Sequence, residues 1–256
     1  MPLISRYSAR SVVRSVALAA ASLAVLGLAG CGPAKPDKAF GEKVHAYLIE
    51  HPEVLNEMSA KLQAQQQAQA AEKSKGAIAK YRQALERDPR DLVANPNGTI
   101  TVVEFFDYRC GYCKLAAPDV AKLIQENPDV RFVFKDFVIF GHDSEVAARM
   151  VLGAKDQGKT LDLYRNLMAQ KGNLDEAAII RIAQQTGVDV AKAQAAGVTP
   201  AVTQHLVDTH ALAEALSIEG TPAFFVGNTM IAGADMSALK LAIEQARASK
   251  AKTGAV

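Results

Sequence analysis

The chain has 256 residues, 49% hydrophobic and 22% charged, enough apolar material for one ordinary domain with an extension or for two small ones. Its 29 Lys and Arg against 27 Asp and Glu leave a net charge of +2, which excludes a polycationic nucleic-acid binder. Three cysteines, Cys31, Cys110 and Cys113, are too few for a disulfide scaffold, and the odd one needs its own explanation.

Residues 1–30 hold no acid and no Lys. Arg6, Arg10 and Arg14 precede an apolar run from Val16 to Ala29, a basic region followed by a hydrophobic one too short to span a bilayer comfortably. This predicts an export signal over 1–30, whose removal takes the net charge from +2 to −1. The segment Leu28-Ala29-Gly30-Cys31 resembles a bacterial lipobox, which implies lipidation of Cys31, a lipid anchor in the membrane and a Gly/Pro/Lys tether over 31–37. The plainer alternative is an ordinary secretory signal with Cys31 a bystander. Both place the chain on the periplasmic side of the bacterial envelope, where disulfides persist.

From Phe40 the apolar residues fall at helical spacing: Phe40, Val44, Tyr47 and Leu48, then Val54, Leu55, Met58 and Leu62. Pro52 suits the first turn of a second helix, so the reading is a helix over about 38–50 and a longer one over about 52–86, together a helical extension over 38–90. Residues 63–71 are rich in Ala and Gln, helix-favouring but without an apolar stripe: a solvent-bridging helix or a linker. Asp88-Pro89 ends the run, and Asn95-Pro96-Asn97-Gly98 is a turn.

A globular domain is expected over 91–250. Ile100–Phe106 reads as a central strand, Cys113–Gln125 as a helix and Val130–Val138 as a second strand. Residues 143–217 show only helical runs: Glu145–Ala154, Leu161–Ala169, Glu176–Gln185 and Ala201–Leu216. Ala223–Val226 and Met230–Ala232 form a hairpin about Gly227-Asn228, and Asp235 caps a last helix reaching Ala248.

Cys110-Gly111-Tyr112-Cys113 follows directly on the first strand and opens a helix, a redox signal in an exported chain. Helix N–H groups stabilise a thiolate on Cys110, which makes it the attacking sulfur, with Cys113 one turn in and less exposed. Zinc needs two more close ligands, and the five His are scattered, so no metal or cofactor is expected. Glu104 stands six residues before Cys110 on an apolar strand; such a carboxylate either exchanges a proton with Cys113 or lies at an edge in water. Thr221-Pro222 opens the strand Ala223–Val226; a cis bond there would leave the Thr221 backbone free to hold a substrate, and a plain turn is the alternative. Ser144 reads as a helix cap, and His205 and His210, five apart, have no shared role.

These residues, from Val102-Val103-Glu104-Phe105-Phe106-Asp107-Tyr108-Arg109 through the C-x-x-C to Gly220-Thr221-Pro222-Ala223-Phe224-Phe225-Val226, resemble the DsbA-like branch of the thioredoxin superfamily. The resemblance implies an α/β thioredoxin fold with a helical insert at about 142–217 and a kink in the active-site helix at Pro118. It further implies a buried acid at Glu104, nucleophilic and resolving Cys110 and Cys113, and a cis-Pro at Pro222, with Gly111, Tyr112, Thr221 and Pro222 facing the substrate. The extension, with Tyr47-Leu48 and His51-Pro52-Glu53-Val54-Leu55, resembles that of the ScsC-like thiol-disulfide exchange proteins, which implies homo-oligomerisation through 38–86. The family's well-known oxidase has Pro-His between its cysteines where this chain has Gly-Tyr, which tells against strong oxidase character.

The expected function is thiol-disulfide exchange with exported client proteins, leaning to isomerase or reductase, with a membrane redox partner that recycles Cys110 and Cys113. The alternatives are a DsbA-type dithiol oxidase and a non-catalytic thioredoxin-like lipoprotein.

Overall fold

The computed structural model describes residues 38–253; the expected export signal, the tether and Cys31 lie outside the described residues. The chain divides into two compact units, one through Gln65 and one from Gln66.

In the first unit, helix α1 (Lys38–Glu50) ends as His51 N–H donates to Tyr47 O at 2.8 Å, with the two rings 4.4 Å apart. Pro52 occupies the turn before α2 (Glu53–Glu86). Phe40, Val44, Tyr47, Leu55, Met58 and Leu62 are each between 39% and 67% exposed, a row of apolar side chains left facing solvent.

The last turns of α2 belong to the second unit, and their apolar stripe explains why. Ile78 and Leu85 are fully buried and flanked by Ala77 and Tyr81, all on one helical face. Arg131 Nη1 donates to Glu86 O and Lys135 Nζ to Ala84 O, both at 2.6 Å, satisfying carbonyls at the helix end.

The sheet has five strands: β1 (Leu92–Ala94), β2 (Ile100–Phe106), β3 (Val130–Asp136), β4 (Ala223–Val226) and β5 (Thr229–Ala232). Their order is β1-β3-β2-β4-β5, so β2 is central as its apolar run predicts. It runs parallel to β3, across helix α3 (Gly111–Glu126), and antiparallel to β4. Three-residue β1, antiparallel to β3, is too short to leave a sequence pattern.

Between β3 and β4 lie α4 (His142–Gly153), a 3₁₀ turn, α5 (Thr160–Ala169), α6 (Glu176–Gln185), α7 (Val190–Gly197) and α8 (Pro200–Ala215). Short, Ala-rich α7 escaped the periodicity; Asp189 caps it by accepting from Lys192 N–H at 3.1 Å. Ser144 is a correction: α4 begins at His142 after Gly141, and the Ser144 hydroxyl is buried and bonded elsewhere. Helix α9 (Met236–Thr253) is the last described element, with Asp235 Oδ1 accepting from Ser237 and Ala238 N–H.

Strand alternation sorts the core into two layers. Val102, Phe106, Phe132 and Phe134 pack with Val120 and Leu123 of α3, with Leu239 and Ile243 of α9, and with the insert. Val103, Phe105, Val133 and Phe225 pack with Ile78 and Leu85 of α2, with Leu212 of α8 and with Leu216 just past its end. Each such side chain stabilises the fold by about 1.5–3 kcal/mol on burial.

Within the insert, α4 and α7 approach so closely that a Cβ on Gly153 would run into Ala193 O, and one on Gly197 into Arg149 O. Overpacking there predicts that Gly153→Ala destabilises by about 1–3 kcal/mol and lowers Tm by roughly 2–10 °C. Calorimetry checks this; an unchanged Tm refutes the close packing.

Candidate active site

Cys110 is the N-cap of α3, its backbone extended at φ −66° and ψ 118°. Its sulfur accepts from Cys113 N–H at 3.3 Å and donates to Thr221 O at 3.2 Å. Thr221-Pro222 is cis, and Pro222 stands just before β4, where no ladder N–H is lost. The structure therefore brings Cys110, Cys113, Thr221 and Pro222 together from points more than a hundred residues apart. Cys113 is fully buried and Cys110 keeps 2% exposure, while Gly111 and Tyr112 face solvent on the first turn. Leu115, Ile139 and Phe140 are further exposed apolar side chains, Leu115 one turn along α3 and the other two on the loop after β3.

The two sulfurs are pushed in opposite directions. Cys110 falls from an ordinary 9.0 to about 6, through the Cys113 thiol first, against burial, then through Thr221 and the N–H groups of Cys113 and Tyr112. Burial pushes the Cys113 thiol far up, and its neighbours Cys110 and Glu104 add to this. Cys110 is thus the sulfur that ionises near neutral pH.

Glu104 lies in the middle of β2 with Phe134 of β3 and Phe224 of β4 on either side. It is fully buried, which excludes the edge position in water. Oε2 accepts from Tyr164 Oη at 3.4 Å, and Oε1 has no hydrogen-bond partner among the described residues. Burial, helped by the charge of Cys110 and opposed by the Tyr164 hydrogen bond, raises it from 4.5 to about 8.

Two features escaped the sequence reading. Asp107, 1% exposed, accepts from Arg109 N–H and Ser144 Oγ on one oxygen, both at 2.7 Å, and from Ile139 and Phe140 N–H on the other, at 2.9 and 3.1 Å. The second is a cluster of Asp88, Asp91 and His205, whose polar atoms lie within 4.8 Å of one another. Arg90 holds both oxygens of Asp88 and Lys135 Nζ sits 2.7 Å from Asp91 Oδ2. Both cations compete with a metal for these two side chains.

A cavity of about 650 Å³ lies alongside the cis peptide, lined among others by Ala77, Leu216, Ile218, Thr221, Pro222 and Met230.

Comparison with known proteins agrees with this geometry. The DSBA-like thioredoxin domain model matches residues 101–244, and the model of the copper resistance protein ScsC N-terminal domain matches residues 38–69. A thioredoxin-like oxidoreductase from Silicibacter pomeroyi is 39% identical with a TM-score of 0.63, over 65% of this chain and 97% of that one. BcfH of Salmonella enterica Typhimurium is 33% identical with a TM-score of 0.69, over 82% and 95%. A linker-deletion mutant of Proteus mirabilis ScsC is 26% identical with a TM-score of 0.66, over 86% and 99%. The chain spans about a quarter of the length of the curated relatives it matches, Na(+)/H(+) antiporters such as NhaA 1 of Salinispora arenicola, which is 30% identical over 173 residues, 62% of this chain and 25% of the antiporter.

The Glu104 shift carries a stability signature. A carboxyl raised from 4.5 to about 8 stabilises the fold fully below pH 4.5 and loses that contribution as pH rises through 8. Glu104→Gln is therefore expected to match wild type near pH 4 and to become the more stable protein by pH 9, by at most about 5 kcal/mol. Urea titrations at the two pH values check this; a constant difference rejects the buried, raised carboxyl.

Proposed function

We propose disulfide isomerisation and reduction of exported clients for this chain, which belongs to the DSBA-like thioredoxin domain family and is a thiol-disulfide oxidoreductase. The observation that carries the reading is the placement of the Cys110 sulfur, held as an N-cap acceptor and facing Thr221 O. The Cys110 thiolate attacks a client disulfide, forms an S–S bond to one client sulfur and releases the other as a thiolate that takes up a proton. A second client thiolate then attacks the mixed disulfide, forming a new client disulfide and returning the Cys110 thiolate, which is isomerisation. Alternatively Cys113 gives its proton to Glu104 and attacks Cys110 Sγ, releasing reduced client and leaving the Cys110–Cys113 disulfide, which is reduction. Gly111, Tyr112, Thr221 and Pro222 face the client, which lies extended along the Thr221 backbone. A membrane redox partner restores the dithiol.

Export by residues 1–30 and a lipid anchor at Cys31 place the enzyme on the periplasmic face of the envelope. The match of residues 38–69 to the ScsC N-terminal domain and the exposed row from Phe40 to Leu62 support self-association through the extension. An oligomer would offer more than one active site to one misfolded client. One observation favours a second reading, dithiol oxidation: a Cys110 thiol held down at about 6 stabilises the reduced form and makes the disulfide a better oxidant.

Two outcomes are expected. Cys113→Ser accumulates mixed disulfides with envelope proteins, seen on non-reducing gels, and Cys110→Ser accumulates none; trapping by both or by neither rejects the assignment of the two sulfurs. Tyr47→Glu with Leu55→Glu turns an oligomer into a monomer in sedimentation and cuts refolding of a scrambled-disulfide substrate about tenfold, while dithiol oxidation persists. A monomeric wild-type protein refutes the oligomer, and undiminished refolding by the variant favours the oxidase reading.

A further inference from the structure

We infer that Tyr164 is a positioning residue for Glu104: its phenol holds one carboxylate oxygen and leaves the other to receive the Cys113 proton. The inference rests on the role proposed for Glu104 above.

Tyr164 comes from the helical insert, sixty residues from Glu104 in sequence, yet it is fixed against the active-site layer. Helix α5 is fastened to α3 by Lys114, whose Nζ donates to Leu167 O at 3.2 Å and Gln170 O at 2.9 Å. The ring is wedged between Phe134, centroids 4.5 Å apart, and Phe106, 5.1 Å. At 2% exposure the phenol needs a partner, and Glu104 Oε2 at 3.4 Å supplies it. Glu104 Oε1 is buried and has none among the described residues.

The ionisable groups facing the pair are Cys110 and Cys113 from the head of α3, Tyr108 beyond β2 and Asp136 at the end of β3. None of them is a cation, so the donated phenol hydrogen bond is what favours the carboxylate. Burial holds Glu104 protonated; the phenol opposes burial and sets the pH at which the base becomes available.

In the resolving step the Cys113 S–H bond breaks and its proton passes to Glu104 Oε1. The thiolate forms the S–S bond to Cys110, the Cys110–client bond breaks, and the client sulfur leaves with the electron pair. Glu104 then returns the proton, which neutralises the departing thiolate. Removing the phenol leaves less of the ionised carboxylate available near neutral pH without touching either sulfur.

The test uses the full-length protein and a preformed mixed disulfide between Cys110 and a Cys-containing peptide, with peptide release followed against pH. Tyr164→Phe keeps the ring, and is expected to move the midpoint of the profile up by about one pH unit, roughly a tenfold loss of rate at pH 7. The Cys110 alkylation midpoint should stay unchanged, and the same substitution in a Glu104→Gln background should add nothing. A 3-fluorotyrosine at 164, isosteric and a stronger donor, should move the midpoint down, which keeps the test independent of any folding defect in the Phe variant. An unmoved midpoint with either side chain, or equal slowing with Glu104 absent, overturns the assignment. If Glu104→Gln itself leaves the profile of the wild type, the role of Glu104 fails and that of Tyr164 with it. If Glu104→Gln flattens the profile and Tyr164→Phe does not shift it, only Tyr164 is wrongly assigned.

Discussion

The Asp107 carboxylate holds the catalytic end of this molecule together. It sits one residue past β2 and accepts four hydrogen bonds, one from the turn that carries Cys110, two from the loop after β3 and one from the buried Ser144 hydroxyl of α4. Its own carbonyl accepts from Cys110 N–H at 3.1 Å. A buried carboxylate is tolerated only with such partners, and four donors satisfy it almost completely. The arrangement ties three segments to one point: the C-x-x-C turn, the loop bearing Ile139 and Phe140, and the first helix of the insert. Arg109 reinforces it through Phe140 O at 2.8 Å. Cys110 therefore meets Thr221 O against a rigid background.

A second polar cluster does comparable work where α2 joins the sheet. Arg90 links Asp88 to Asp208 of α8, Lys135 reaches from β3 to Asp91 and Ala84 O, and Lys155 donates to Pro89 O and Asp91 O. His205 is packed among them, its nitrogens 3.5 Å from Asp91 and 3.8 Å from Asp88. Burial pushes His205 down to about 4 and Asp91 up to about 7. The histidine contributes stability that is present above its ordinary 6.5 and lost as pH falls through 4. The aspartate contributes stability that is present below 3.8 and lost as pH rises through 7. Between those limits folding moves one proton from His205 to Asp91 and binds none, so the cluster anchors the junction without making it pH-sensitive.

Most elements were legible because their signals are local. The unbroken apolar run of β2, the C-x-x-C at its end, the Gly-Asn turn and the Thr-Pro before β4 each announce themselves within a dozen residues. Glu104 stood out because a carboxylate is costly on such a strand. What stayed hidden depends on contacts that only the fold creates. Nothing around Tyr164 distinguishes it from a core tyrosine, and its partner lies sixty residues away in the chain. Ser144 looks like a cap because it precedes an apolar helix, but the helix starts two residues earlier and the hydroxyl serves Asp107. His205 reads as an idle histidine until α8 brings it to Asp88 and Asp91. The stripe of Ile78 and Leu85 is obscured by the polar stretch before it, and shows itself only against the sheet.

The charges of the active site follow one rule: near neutral pH it carries a single negative charge between Cys110 and Glu104. Unfolded, the carboxyl ionises first, at 4.5, and the thiol at 9.0; folded, the thiol ionises at about 6 and the carboxyl at about 8. Folding thus moves a proton from sulfur to carboxyl, because the sulfur has N–H donors and the carboxyl is sealed in the core. The thiolate in turn keeps Glu104 protonated, since its charge raises the carboxyl further. In the mechanism proposed above, that charge is gone once Cys110 is bound in a mixed disulfide, and Glu104 then ionises more readily when a base is called for beside Cys113. The roles proposed for Cys110 and Glu104 are therefore never both demanded of the site at once, and a core whose described ionisable groups facing Glu104 include no cation can supply each in turn.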